Sequence, residues 1–171
     1  NSLDSLDKYD YEDGDYNTSF TYPIDDSVSN NVANAGVLDL LNGGKYALLF
    51  VPEIQEIIIP SEDKVFTNKN PIQLEDKVFR ICEIEVNNLR RTEPRVSKYA
   101  VWCSGFTSIA VPIKQKDGVT TILSLSNRIP RLFCDFPLVG TENFPFPVII
   151  NNPNFNPTDP RDGVFLTTTI R

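Results

Sequence analysis

Short segments with a two-residue period constrain the fold of this chain more than any other feature. Residues 80–86 read RICEIEV, and alternate side chains of an extended strand point to opposite faces of a sheet. One face would carry Ile81, Glu83 and Glu85, and the other would carry Cys82, Ile84 and Val86. A sheet that is wetted on one face buries the other against a second layer, so we expect helices to pack on it.

Similar segments recur along the chain, separated by residues that favour turns. Lys116, Asp117 and Gly118 lie between two of these segments and form a hairpin signal. Shorter strands are expected at residues 18–24, 54–59 and 146–150, where apolar or β-branched residues are frequent. The main predicted strands cover residues 64–67, 78–89, 98–104, 107–114, 119–125 and 131–138.

One segment has a helical period. Ser27 or Ser29 is its expected N-cap, and Gly43 with Gly44 is expected to end it. Its apolar face consists of Val32, Ala35, Val37, Leu38 and Leu41. Residues 46–50 are expected to form either a short helical turn or a strand. The predicted fold class is therefore α+β, with a mainly antiparallel β-sheet and one or two packed helices.

The net charge of -7 is concentrated near the N-terminus. The first 26 residues contain eight acidic residues and one lysine, whereas the rest of the chain has 15 acidic and 15 basic residues. We expect residues 1–17 to be an acidic, disordered lead-in and residues 18–171 to form a single α+β domain. A neutral globular part is not expected to bind nucleic acid, and its short basic cluster is interpreted as a solvated turn. That cluster consists of Arg90, Arg91, Arg95 and Lys98.

Missing residue types exclude several classes of chemistry. The chain has no histidine, which excludes Ser-His-Asp and Cys-His catalysis and histidine metal sites. Its three cysteines, Cys82, Cys103 and Cys134, lie in strand-like runs, so we expect buried, reduced thiols, a cytoplasmic location and no metal site. No run reaches the roughly 18 apolar residues of a membrane helix, so no membrane association is expected. Because methionine is absent even from position 1, the chain is expected to begin inside a longer polypeptide.

The candidate site lies in residues 131–166, where two predicted strands lead into a polar loop rich in proline. Asn151 and Asn152 follow the second strand, and Arg161 is the single arginine at the end of the loop, so this is where we look for chemistry. The structural alternative is a stiff connector in which prolines limit hydrogen bonding and Arg161 pairs with Asp159 or Asp162.

The order of these segments resembles a known family. TSFTYPI at residues 18–24, a helix to Gly43 and KYALLFVPEIQEIII at residues 45–59 are similar to the exit from the nucleotide-binding domain of GHKL-type ATPases. The relevant branch contains sacsin and the ninety-kilodalton heat-shock chaperone. Further along, YAVWCS and the run RLFCDFPLVGTENFPFPVIINNPNFNPTDPRDG resemble the family's Leu-Pro turn, Pro-Val-x-x-Asn segment and downstream arginine.

The resemblance implies a fragment that follows most of the nucleotide-binding domain, because this chain lacks the family's adenine-binding turn and its glycine-rich lid. Residues 18–45 would then be the end of that domain, and residues 46–171 a transducer region. The fragment would hold no cofactor itself, while the full-length protein would bind ATP and Mg. The resemblance implies that Arg161 is the candidate catalytic residue, which would reach the γ-phosphate, and that Asn151 and Asn152 near it are candidate substrate-binding residues. It would couple the ATP state to the binding of a protein partner or client, and it would not be an enzyme by itself.

A second hypothesis from the residues is a protein-interaction β module with no nucleotide role. The sheet and the loop rich in proline and phenylalanine would bind a partner segment through Phe144, Phe146 and Phe155.

Overall fold

The computed structural model of the protein describes residues 20–70, 78–88 and 93–165. The chain divides into two compact units, one ending at Ala33 and one beginning at Asn34. The helix α1 (Ser27–Gly43) continues into a 3-10 helix (Gly44–Leu49), and a second 3-10 turn covers Pro60–Glu62. The strands are β1 (Glu56–Ile59), β2 (Lys64–Asn68), β3 (Phe79–Asn88), β4 (Arg95–Ser104), β5 (Thr107–Lys116), β6 (Val119–Ile122), β7 (Leu132–Cys134), β8 (Phe136–Pro137) and β9 (Ile149–Asn151).

The strands form one nine-stranded sheet in the order β1-β2-β3-β4-β5-β9-β7-β8, and β6 also pairs with β5. Every pair is antiparallel except β7 with β9, which is parallel. The predicted class, a mainly antiparallel α+β fold, is confirmed. None of the helices in the described part of the chain is long and apolar enough to cross a membrane.

The core lies on one face of the sheet, which we call the inner face and which carries Cys82, Val101, Ala110 and Ile149. The 3-10 helix packs against this face and contributes Tyr46, Leu48 and Leu49. Three aromatic rings meet there: Phe133 lies 6.4 Å from Tyr46 and 5.6 Å from Phe50, measured between ring centroids. The segment at residues 46–50 was expected to be a helical turn or a strand, and the helical alternative is correct.

The opposite face, the outer face, is only partly wetted. Glu83 pairs with Lys98 at 2.7 Å, as expected for an exposed face. Ile81, however, packs with buried residues of β4 and β5 in a second, smaller apolar cluster, whose buried members are Ala100, Val111 and Ile113. The alternation at residues 80–86 is thus confirmed for the inner face, whereas the outer face combines charged and apolar patches.

The predicted helix is confirmed, but its N-cap is Asp26 instead of Ser27 or Ser29. An Asp26 carboxylate oxygen accepts the backbone N–H of Ser29 at 2.7 Å. This bond from the Ser29 backbone is the main cause that lowers the pKa of Asp26. Aspartate caps a helix as well as serine does, and here it is the residue placed three positions before the free N–H. Of the predicted apolar face, Val37 and Leu41 pack on the core.

Proline accounts for two differences from the predicted strands. The strand expected at residues 18–24 is absent from its described part, since residues 20–25 are not in a strand. Pro23 in this segment has no N–H to donate to a neighbouring strand. Residues 18 and 19 lie outside the described residues. The strand expected at residues 146–150 begins only at Ile149, after Pro147. The strand expected at residues 131–138 is divided into β7 and β8 by Asp135, whose φ of 59° turns the chain.

The three cysteines form no disulfide among the described residues, and they are not equally buried. Cys82 is buried, whereas Cys103 and Cys134 are half-buried. The Cys103 sulfur accepts hydrogen bonds from an Arg80 guanidinium nitrogen at 3.0 Å and from the Ser108 hydroxyl at 3.3 Å. The prediction of burial is therefore correct only for Cys82. The acidic lead-in at residues 1–17 lies outside the described residues, as do Arg90 and Arg91 of the basic cluster.

Candidate functional site

The sheet divides between β4 and β5. Their pairing begins at Ser104 opposite Thr107 and ends at Lys98 opposite Ile113. Beyond that pair, Arg95–Ser97 continue along β3, and Lys114–Lys116 continue along β6. The two strands separate around a space of about 310 Å³, which we call the β4–β5 cleft. It is lined by Val96, Ser97, Lys98, Tyr99, Pro112, Ile113, Lys114, Gln115 and Leu123.

Among the described residues, backbone groups beyond the last β4–β5 pair face each other in this cleft. The N–H of Cys103 donates to Val78 beside β3 at 2.8 Å, so odd-numbered residues of β4 direct their backbone groups toward β3. Even-numbered residues, including Val96, direct theirs toward β5. On β5, the Pro112 carbonyl accepts the N–H of Leu123 beside β6, so even-numbered residues direct their backbone groups toward β6. Odd-numbered residues such as Gln115 therefore direct theirs toward β4. Val96 and Gln115 therefore present an N–H and a C=O to the cleft beyond the last β4–β5 pair.

The inner side of the cleft is basic. Side chains alternate between the two faces along a strand. The core-facing residues are odd-numbered on β4 and even-numbered on β5, so the inner face also carries Arg95, Lys114 and Lys116. Within residues 20–70, 78–88 and 93–165 none of the three forms an ion pair. Ser97 and Tyr99 add hydroxyl groups on the same side. On the outer side, Lys98 is held by Glu83 at 2.7 Å and donates to the Gln115 side chain at 3.4 Å.

A chain of buried polar groups continues from Tyr99 below the cleft. Burial raises the pKa of Tyr99, and hydrogen bonds from the Tyr46 and Ser97 hydroxyls lower it. Burial also raises the pKa of Tyr46; the charge of Tyr99 and the hydrogen bond to it raise it further, and Arg131 lowers it. The charge of Arg131 therefore acts on Tyr46, whose ring centroid lies 5.7 Å from that of Tyr99, a residue that lines the cleft.

Arg131 is itself a buried cation, since only 7% of its surface is exposed. One terminal nitrogen donates to the carbonyls of Ser126 at 3.1 Å and Ile129 at 3.0 Å, and Nε has no hydrogen-bond acceptor. Among the described residues no carboxylate pairs with it. A buried charge without a counter-ion produces a positive field that water screens poorly.

The two asparagines predicted to bind substrate lie next to each other, and their amides are engaged within the protein. Asn151 is buried; its side-chain oxygen accepts the Asp135 N–H at 2.8 Å, and its amide donates to the Asp135 carboxylate at 3.3 Å. Asn152 donates to the Thr107 hydroxyl at 3.0 Å and accepts the Asn154 N–H at 2.8 Å. Their contacts fasten β9 to its neighbours, and the role in substrate binding stays a prediction.

Arg161 lies in a turn separate from those asparagine contacts. Its φ is 56°, a left-handed conformation, and its side chain is exposed and makes no ion pair with a described residue. Asp162, one of its two expected partners, instead accepts the Thr158 hydroxyl at 2.7 Å. The turn is thus held by Thr158 and the backbone, so the proposed salt bridge is not what shapes it.

Sequence reasoning missed the cleft because its residues come from separate segments. Arg95 and Lys98 were assigned to one basic cluster, yet their parity places them on opposite faces of β4. Arg131 begins the segment that was singled out, but nothing in a single sequence indicates that it is buried without a counter-ion. The available signal was that β4 and β5 each extend beyond their shared pairs, which only strand register shows.

No group of three or more histidine, cysteine, aspartate or glutamate residues in the described part of the chain is arranged to hold a metal ion. Comparison of the chain with models of protein families, with curated proteins and with solved structures found no match.

Proposed function

We propose that this protein is a protein-interaction β module that captures an extended peptide segment as an added strand in the β4–β5 cleft. The observation that carries the proposal is the open pair of backbone edges at Val96 and Gln115. An extended peptide between two separated strands satisfies donors and acceptors on both sides, which is the source of affinity in strand addition. The cleft also offers apolar walls at Val96, Ile113 and Leu123 for alternate side chains.

A second surface, the loop rich in proline and phenylalanine, is less suited to this task. Phe144 and Phe146 are exposed and their ring centroids lie 5.1 Å apart, so they cover part of each other. Phe155 is only half-exposed. The loop therefore presents a small apolar contact, whereas the cleft combines an apolar wall with unpaired backbone groups.

Substitution by proline tests strand addition, because proline removes one N–H and little else. A labelled peptide Thr-Val-Glu-Val-Glu-Val-Thr is titrated by fluorescence anisotropy into the protein and into Val96→Pro. Binding to Val96→Pro is expected to be about tenfold weaker, because this variant loses one backbone hydrogen bond to the peptide and its proline ring occupies space in the cleft. The same peptide with N-methylated valines has no donors on one edge and should bind at least as poorly.

Ile58→Pro is the matched control, because it removes an outward-facing N–H from a different open edge. The Asn68 N–H donates to the Gln55 carbonyl at 2.9 Å, so odd-numbered residues of β1 direct their backbone groups toward β2. The backbone groups of Ile58 therefore point away from β2. This variant should bind the peptide as the parent does. If Ile58→Pro abolishes binding and Val96→Pro does not, the module uses the β1 edge and the assignment to the cleft is wrong.

We also propose, as a second candidate, that the chain is the coupling fragment of a chaperone-like ATP-binding protein. The observation in its favour is that Arg161 is exposed, unpaired among the described residues and held in a left-handed conformation of a kind that concentrates at functional sites. Arg161→Ala in the full-length protein should then lower ATP turnover by about 10³ or more without changing the melting temperature. Unchanged turnover together with an unchanged melting curve rejects this candidate.

A further inference from the structure

We propose that the β4–β5 cleft selects acidic peptides, with carboxylates at alternate positions facing the inner side of the sheet. This inference rests on the proposed function, because it names the partner of the same site. Alternate residues of an inserted strand face opposite sides. One set meets the basic inner side of the cleft, and the other set meets Val96 and Ile113.

The first reason is the charge of the inner side. Lys114 lines the space, and Arg95 and Lys116 lie just beyond it on the same face of the two diverging strands. None is neutralised by a carboxylate of the described chain. The acidic residues at this end include Glu93, just before β4, and Asp117 in the β5–β6 turn, whereas Glu83 and Glu85 pair with Lys98 and Lys69. A carboxylate of a partner therefore meets Lys114 at the cleft wall, with Arg95 and Lys116 farther along the same two strands.

The second reason is the buried polar chain below the cleft. Arg131 is nine-tenths buried and has an unsatisfied Nε, and its charge lowers the pKa of Tyr46, whose ring centroid lies 5.7 Å from that of Tyr99 at the cleft wall. Its charge acts through the protein interior, where screening is weak. Arg131 therefore adds a buried positive charge on the side of the sheet that also carries the exposed cations.

The third reason concerns the class of partner. A phosphate backbone would also favour cations, but a nucleic acid carries bulky bases that need stacking platforms. Among the described residues that line the cleft, Tyr99 is the only aromatic one, and the others are aliphatic or polar. Its unpaired N–H and C=O groups alternate along the strand, which matches a peptide backbone and not a sugar-phosphate chain.

The test compares three labelled peptides that differ only in charge. They are Thr-Val-Glu-Val-Glu-Val-Thr and its versions with glutamine or lysine in place of both glutamates. The glutamate peptide should bind about tenfold or more tighter than the glutamine peptide at low salt, and the difference should shrink as salt is raised to 0.5 M. The lysine peptide should bind weakest.

Variants assign the effect to the cleft. Lys114→Gln should weaken binding of the glutamate peptide about two- to five-fold and leave binding of the glutamine peptide unchanged. Lys69→Gln is the matched control, because Lys69 pairs with Glu85 at 3.3 Å and does not line the cleft. Lys69→Gln should leave the binding of both peptides unchanged.

The outcomes separate this inference from the function on which it rests. Equal binding of the glutamate and glutamine peptides, both sensitive to Val96→Pro, overturns the acidic preference and leaves strand addition standing. Displacement of the glutamate peptide by a short single-stranded oligothymidylate at equal concentration also overturns it, because the cleft would then recognise phosphate. If neither peptide binds up to about 1 mM, a free energy of about -4 kcal/mol, both proposals are wrong.

Discussion

The rings of Tyr46 and Tyr99 meet edge to face, with centroids 5.7 Å apart and planes inclined at 87°. This contact fastens the 3-10 helix to β4, and it lies between the core and the cleft wall.

Tyr46→Phe tests how this contact responds to pH. The pKa values of both tyrosines are raised in the folded protein, mainly by burial, so the folded state holds the phenol protons more tightly than the unfolded state does. Their contribution to stability is fully present below the ordinary pKa of 10.0 and is lost as pH rises above it. Tyr46→Phe should cost about 1 kcal/mol at pH 7 and should lose less stability than the parent between pH 9 and 11, measured by urea unfolding. Parallel pH profiles would show that Tyr46 does not carry the effect.

Proline at two adjacent positions of β4 should destabilise the protein to very different extents. Val96→Pro removes an N–H that faces the cleft, so the free energy of unfolding should fall by less than about 1 kcal/mol. Ser97→Pro removes an N–H that faces β3, and a proline that removes a ladder bond inside a sheet should cost about 3 kcal/mol or more. Equal losses in thermal or chemical unfolding would show that Val96 is bonded across the strands after all.

Gly140 should tolerate a methyl group less well than Gly105, although both have positive φ. A Cβ on Gly140, where φ is 106°, would lie 2.8 Å from the Cβ of Asp162 and 3.3 Å from its Cα. A Cβ on Gly105, where φ is 57°, would meet nothing within 4 Å. We expect Gly105→Ala to cost about 1 kcal/mol for conformation alone and Gly140→Ala about 2 to 3 kcal/mol, because the Asp162 turn must also move. Equal costs would mean that the contact with Asp162 is easily relieved.

The three thiols should react in an order set by burial. Cys82 is completely buried, whereas Cys103 and Cys134 are partly accessible. Native labelling with a thiol reagent, located by mass spectrometry, should modify Cys103 and Cys134 well before Cys82, which should react only on unfolding. Early modification of Cys82 would contradict the packing of the core.

The sequence predicted local structure well where hydrophobic period and turn chemistry agree. The helix to Gly43 and the hairpin at Asp117 and Gly118 are of this kind, since φ values of 51° and 77° at those two residues match the turn that Asp-Gly favours. Asp135 and Arg161 also adopt positive φ, but neither residue type requires it, so the break between β7 and β8 could not be predicted.

Features that depend on register could not be predicted from single segments. The separation of β4 from β5 arises because each strand finds a different neighbour beyond Lys98 and Ile113. Likewise, the isolation of Arg131 depends on which residues fold over it. Asn151 and Asn152 were singled out as unusual polar residues after a strand, and such residues also serve to fasten a strand end, as their hydrogen bonds here do.

The position of β9 has a consequence for the order in which the sheet is completed. The neighbouring pairs from β2 to β6 join strands that are close in sequence, so each can form as a local hairpin or a short-loop pair. By contrast, β9 is last in the sequence yet lies between β5 and β7, and its pairing with Ser108 to Ala110 spans some forty residues of chain. Contacts of such long range are slow to form. Among the described strands, β7 and β8 join the rest of the sheet only through β9, so this half of the sheet is completed when β9 is inserted.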